Sequence, residues 1–234
     1  MATRLPSLLD RAILFAHRGA RANAREHTLE AFTLALRLGA TGLHVDAWAT
    51  RDGVVVLDRT GLIRRFPKRR IEEVDHEAVA DSLASLDDLF GAVDEVPVRI
   101  RVADDATAGA VIEAAQRHSA LDRVWLAHPD LEVLAGWRDR APGVRLLNTT
   151  SVEALPLGSE RRAAELAAAR VDAVALPEDD WSGGLVTLFH RFEVLAFADG
   201  AHYERQLARL IDMGVDAVSG DHVERMAAVA ATFD

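Results

Sequence analysis

Eight short runs of β-branched and aliphatic residues recur along this 234-residue chain, and most are followed by a stretch with helical spacing. The runs are Ile13 to Ala16, Gly42 to Trp48, Val98 to Val102, Val124 to Ala127, Val144 to Leu147, Val171 to Leu176, Val194 to Phe197 and Val215 to Ser219. Leu29, Phe32 and Leu36 mark the first helix, and Gly39 stands where a C-terminal cap is expected. Further helices are predicted over about 107–118, 130–138, 159–169, 183–191, 202–213 and 222–232. Eight parallel strands alternating with helices is the count of an α/β chain closed as a (β/α)8 TIM barrel.

The second unit carries a short insertion. Arg51-Asp52-Gly53 is a turn signal, and Val54 to Leu57 returns beside the second strand as a hairpin. The stretch from Thr60 to Pro97 is longer than the other connections, and Ser85 is expected to cap a short helix reaching Phe90. Val171-Asp172-Ala173-Val174 is echoed in Val215-Asp216-Ala217-Val218, which is compatible with repeated βα units. No Gly/Ser or Pro linker divides the chain, so residues 1–234 are expected to form a single domain.

Composition narrows the partners. The formal net charge is 27 − 37 = −10, which argues against nonspecific binding to nucleic acid or an anionic membrane. There are no cysteines, so disulfides and thiolate metal sites are excluded. No run approaches the roughly 18 apolar residues of a membrane-spanning helix, so no integral membrane segment is expected. The start reads as mature protein, because Asp10 and Arg11 interrupt its apolar residues, and the default location is cytoplasmic. Arg64 to Arg70 is a basic stretch expected to be a solvated loop, with anion steering as the alternative. The oligomeric state is left open.

In such a barrel chemistry belongs at the carboxyl ends of the strands. His17 ends the first. His44 and Asp46 share a face of the second with Trp48, since alternate residues point the same way. Arg99 and Arg101 share a face of the third, His128 and Asn148 end the fourth and fifth, and Asp199 and Asp221 follow the seventh and eighth. Any one of these is as well explained by a capped loop or a buried hydrogen bond, so the argument rests on their convergence. Trp48 is as well explained by core packing as by a pocket wall. His118 and His190 lie on helices and are read as surface or core residues.

The stretch HRGARANAREHTLEAFTLALRLGATGLHVDAWATRDGVVV resembles the signature of the glycerophosphodiester phosphodiesterase family, and GLVTLFHRFEVLAF and LARLIDMGVDAVSGDHVERM add to the likeness. The resemblance implies a (β/α)8 barrel with a small segment inserted after the second strand. It also implies phosphoric diester hydrolysis of glycerophosphodiesters to a glycerol phosphate and an alcohol, a step of lipid metabolism, with magnesium or calcium as the cofactor. By the same resemblance His17 matches the first catalytic histidine, Arg18 the arginine that contacts phosphate, and Glu26 the glutamate of a Pro-Glu-Asn-Thr segment, here Arg25-Glu26-His27-Thr28. Asp46 matches the aspartate of a Glu-x-Asp metal motif.

Other positions depart from the pattern. His44 stands in place of the metal-motif glutamate. Aligned from Asp52-Gly53, the second catalytic histidine falls on Arg59, and a one-residue slip would bring Asp58 toward the site without supplying a histidine. The Glu-x-Lys pair of the third strand reads Arg99-Ile100-Arg101, and the tryptophan near the end of strand seven is replaced around Phe197 or Ala198. A hard divalent cation needs several oxygen ligands. At about 4 Å and an effective dielectric near 20, each misplaced unit charge costs about 4 kcal/mol. An arginine does not release a proton at neutral pH, so it cannot replace a catalytic histidine.

Three readings follow. In the first, metal-dependent hydrolysis is impaired or lost, no cofactor is needed, and the chain is a pseudoenzyme candidate. Arg18, Glu26, Arg59, Arg99 and Arg101 would then form an anion pocket for a phosphate-containing small molecule, or else the arginines would pair with Asp46, Glu26 or Asp221 as a network without a ligand. In the second, an active hydrolase persists on a rearranged divalent-metal site made of His17, His44 and Asp46. The third is a noncatalytic interaction protein.

Overall fold

The computed structural model describes residues 5–63 and 68–233. Of the basic stretch, Arg64 to Pro67 lie outside the described residues; Lys68, Arg69 and Arg70 are exposed, and Arg70 pairs with Glu72 at 2.7 Å. Eight parallel strands form the barrel: β1 (Ile13–His17), β2 (Gly42–Ala49), β3 (Val98–Arg101), β4 (Val124–His128), β5 (Arg145–Thr149), β6 (Ala173–Pro177), β7 (Leu195–Asp199) and β8 (Ala217–Gly220). Each bonds to its chain neighbours, and β1 closes the ring by pairing with β2 at Phe15↔Gly42 and with β8 at Ile13↔Ala217.

Alternation along the strands builds two cores. Residues pointing inward include Phe15, Trp125 and Phe197, which meet at 5.7 Å (Phe15–Phe197) and 4.9 Å (Trp125–Phe197) between ring centres. Ala127, Ala173, Ala175 and Ala217 supply the small neighbours that let three aromatic rings fit inside one barrel. Residues pointing outward, such as Leu43, Val45, Ile100, Leu126, Leu146, Val174 and Val218, pack beneath the helices.

The helices are α1 (Leu29–Arg37), α2 (Leu86–Ala92), α3 (Asp105–Arg117), α4 (Leu131–Arg140), α5 (Ser159–Ala168), α6 (Gly183–His190), α7 (Glu204–Asp212) and α8 (Val223–Ala230). Caps fix their starts: Thr28 accepts from Ala31 N–H, and Ser85 forms a reciprocal box with Asp88, as its sequence position predicts. One apolar stripe per helix is buried, for example Ala31, Phe32 and Ala35 on α1 and Leu207, Leu210 and Ile211 on α7. No helix of the described residues is long and apolar enough to cross a membrane.

Strands β6 and β8 begin at Ala173 and Ala217, two residues later than the apolar runs suggest. Both delays have one cause, an aspartate turned to cap the neighbouring strand. Asp172 Oδ2 accepts the Leu146 N–H at 2.7 Å and pairs with Arg138. Asp216 Oδ2 accepts the Ala196 N–H at 2.7 Å and meets His190 at 2.8 Å. The Val-Asp-Ala-Val echo therefore marks the same device used twice. His190 belongs to it, and His118 pairs with Asp87 at 2.9 Å, so both helical histidines are structural.

The insertion after β2 begins as the expected hairpin, with Val55–Leu57 antiparallel to β2 and Gly53 at φ +84° in the turn. Trp48 holds this segment and does not line the barrel mouth. Its indole N–H donates to the Asp58 carbonyl at 2.8 Å, and its ring lies so close to Gly61 that a Cβ there would sit 2.6 Å from it.

Candidate functional site at the barrel mouth

The chain reverses sharply after β1. Arg18 lies at φ +60° and Gly19 at φ +84°, and a side chain on Gly19 would come within 2.8 Å of the Ala31 backbone. This turn sends the Arg18 side chain across the mouth, where Nε donates to Asp46 Oδ2 at 2.7 Å and Nη1 to Glu26 Oε2 at 3.3 Å. Register brings Arg101 beside Asp46 from β3, and its Nε donates to the other oxygen, Oδ1, at 2.5 Å. Asp46 is buried, which alone would raise its pKa, but Arg101, Arg18 and His27 hold it below the ordinary carboxylate range.

His27 occupies the position of the asparagine in the resembled segment. At φ +58° its Nε2 accepts the Asp46 backbone N–H at 3.1 Å. Burial, reinforced by Arg18, lowers its pKa to about 4 despite the opposing pull of Asp46.

Arg99 donates through Nη2 to Asp199 Oδ2 at 2.8 Å and through Nη1 to Oδ1. Strands β3 and β7 are four apart in a ring of eight, so this fork spans the barrel. Arg99 is 2% exposed, and its Nε has no hydrogen-bond partner among the described residues. Beside it, His44 shares a 2.9 Å hydrogen bond with Ser219 Oγ, and its ring lies 4.8 Å from that of His17. Burial, and then the charges of Arg99 and its neighbours, push the His44 pKa well below the usual value, so His44 is a neutral imidazole.

These pairs answer the expected arginine pocket. Arg18, Arg99 and Arg101 do converge on the mouth, and each is matched by a carboxylate. Arg59 is exposed. It contributes its carbonyl, which accepts from Arg101 Nη2 at 3.4 Å, and no bond of its guanidinium reaches the mouth among the described residues. The cause is local: Asp58 Oδ1 accepts the N–H groups of Thr60 and Gly61 at 2.7 and 2.9 Å, a tight turn that leaves Arg59 at its outer edge.

The donor set does not fit the family's divalent cation. Both oxygens of Asp46 are engaged by guanidinium groups, and the neighbouring strand positions hold neutral His44 and cationic Arg99. A cation there would face three arginines. The expected set of His17, His44 and Asp46 fails for the same reason, and no three His, Asp or Glu side chains are arranged to hold an ion among the described residues.

Beside this network lies a cavity of about 230 Å³ at the ends of β1, β2, β7 and β8. His17 Nδ1 donates to Asp221 Oδ1 at 3.0 Å. Burial opposes ionisation of Asp221, but this bond and the charges of His17 and Arg21 hold its pKa below the ordinary range. A carboxylate only accepts, so a neutral His17 carries its proton on Nδ1, and in that form Nε2 is an acceptor. Arg21 and His202 also line the cavity. Arg21 is held loosely, 3.5 Å from both Glu26 and Asp221.

Sequence reasoning did not single out Arg21 or His202. Arg21 is placed by the turn at Arg18-Gly19 and His202 by a short connection after β7, and neither follows a strand or helix period. In contrast, Asn148 and His128 do not face the mouth. Leu147 points into the barrel, so Asn148 points out and holds the carbonyls of His128 and Pro129, while His128 Nδ1 accepts the Asp130 N–H at 3.0 Å.

Fold and side-chain placement define a (β/α)8 barrel with its candidate site at the carboxyl ends of the strands. The sequence model of the glycerophosphoryl diester phosphodiesterase family matches residues 17–60. A probable glycerophosphodiester phosphodiesterase of Mycobacterium tuberculosis is 40% identical over 85 residues, covering 32% of this chain and 31% of that protein. The match thus spans about a third of the length of that curated relative. The glycerophosphodiester phosphodiesterase of Thermotoga maritima superposes with a TM-score of 0.79 at 20% identity, covering 92% of this chain and 97% of that one. An Oleispira antarctica phosphodiesterase in complex with the product sn-glycerol-3-phosphate gives a TM-score of 0.82 at 16% identity, covering 94% and 97%. At these identities the structural matches speak for the fold. The sequence match over residues 17–60, the curated relative and the shared fold together support membership of the glycerophosphodiester phosphodiesterase family.

Proposed function

We propose that this protein is a divergent family member that has lost the family's metal-dependent hydrolysis and binds a phosphate-bearing small molecule at the barrel mouth. The observation that carries the reading is the occupation of Asp46 by Arg18 and Arg101, with His44 and Arg99 where the family pattern has acids. With respect to that reaction it is a pseudoenzyme. The anion-binding role falls chiefly to Arg21, the guanidinium that lines the cavity and is only loosely paired, backed by His17. The more tightly paired Arg18, Arg99 and Arg101, together with Glu26, act as the supporting frame. The relative from Oleispira antarctica, which holds sn-glycerol-3-phosphate, supports glycerol phosphate as the probe.

Calorimetric titration with sn-glycerol-3-phosphate should give binding that is unchanged by EDTA or by added magnesium or calcium. Arg21→Met should weaken it about tenfold or more, the loss of one charge-assisted contact. No heat at millimolar ligand, or turnover of a glycerophosphodiester that EDTA abolishes, would overturn the reading.

A further inference from the structure

We infer that the cavity carries a metal-independent acid–base pair, His17 and His202, that cleaves phosphate diesters with an alkyl leaving group. The inference rests on the reading of the mouth as a phosphate-binding site and adds a reaction to it. The two imidazoles reach the cavity from opposite sides of β8, His17 from the end of β1 and His202 from the connection between β7 and α7. Asp221 fixes the tautomer of His17 and leaves Nε2 as the proton acceptor.

The backbone of His202 is anchored, and its side chain is not. Its N–H donates to Gln206 Oε1 at 3.1 Å and its carbonyl accepts from Arg225 Nη1 at 3.4 Å, yet its imidazole makes no hydrogen bond with described residues. Gly220 allows this close seating, because a Cβ there would meet the Ala201 carbonyl at 2.5 Å. The third imidazole of the cavity, His44, is bonded to Ser219 and kept neutral by burial among arginines, so it is a poor proton donor. The donor role falls to His202, and Arg21 is placed to hold the nonbridging oxygens.

In the step, a water oxygen forms a bond to phosphorus and gives its proton to His17 Nε2. The bond from phosphorus to the alkoxy oxygen breaks, its electron pair stays on that oxygen, and His202 supplies the proton that makes the alcohol. Diester and water become monoester and alcohol, and the proton on His17 returns to His202 through solvent.

The test uses the full chain in excess EDTA with two substrates, sn-glycero-3-phosphocholine and bis(4-nitrophenyl) phosphate. An alkoxide needs a proton to leave and a nitrophenolate does not. His202→Gln should therefore lower kcat for the first about a hundredfold or more and for the second by less than about tenfold, whereas His17→Asn should lower both alike. His202→Asn must show the same split, and melting curves with glycerol phosphate titrations accompany every variant. Equal losses on both substrates, or none, would overturn the role of His202. Binding of glycerol phosphate without EDTA-resistant turnover by the wild type would overturn the acid–base pair and leave the binding site standing. Absence of binding would remove both.

Discussion

His27 is a histidine that the folded protein keeps neutral. Burial and Arg18 lower its pKa to about 4, and its Nε2 must stay unprotonated to accept the Asp46 N–H. In the unfolded chain the group titrates near its ordinary value of about 6.5. Between those two values the unfolded state takes up a proton that the folded state refuses, so stability is complete above about pH 6.5 and falls as pH drops toward 4. Urea denaturation at pH 7 and pH 4 should show the wild type losing more than His27→Asn, by at most about 3 kcal/mol. Equal losses would mean that His27 is not buried neutral. At this scale the sequence was legible where strand alternation decides: His17, His44, Asp46 and Arg99 point inward as their spacing requires. It was not legible where a turn decides. The left-handed pair Arg18-Gly19 brings Arg21 to the cavity, and the Asp58 turn keeps Arg59 out.

Among the elements, the order of strands and helices follows the sequence periodicities closely, and the differences have local causes. The late starts of β6 and β8 come from Asp172 and Asp216, whose carboxylates serve the neighbouring strands. Periodicity shows an apolar run beginning at Val171 or Val215, and it cannot show that the next residue is turned aside to cap the strand of the preceding βα unit. Asp216 is fully buried, and its Oδ1 also accepts Ser7 Oγ and the Leu8 N–H, both at 2.7 Å, so it ties the N-terminal segment to the base of the barrel. Asp216→Ala orphans the Ala196 N–H and frees the N-terminal segment. It should cost about 3 kcal/mol in urea denaturation, with Asp216→Asn costing less because one acceptor oxygen remains. A loss within about 0.5 kcal/mol would show that water replaces the carboxylate.

For the whole molecule, eight alternating units made closure legible, but the contact that crosses the barrel was hidden by a separation of 100 residues between Arg99 and Asp199. Inward placement of each followed from its strand, whereas their pairing depends on the ring bringing β3 opposite β7. The closed pairing of β1 with both β2 and β8 joins first and last units, so we predict one cooperative transition, with tryptophan fluorescence and far-ultraviolet circular dichroism coinciding. The cross-barrel pair then bears on the whole transition. Asp199→Ala leaves the guanidinium of Arg99, 2% exposed, without its carboxylate, and removing one member of a buried pair costs about 3 kcal/mol or more. Arg99→Met combined with Asp199→Ala removes both charges and should recover most of that loss, since the pair's attraction is opposed by its desolvation. Urea denaturation of the two single variants and the double variant measures this. A double variant as unstable as the sum of the singles would show that Arg99 and Asp199 are not energetically coupled.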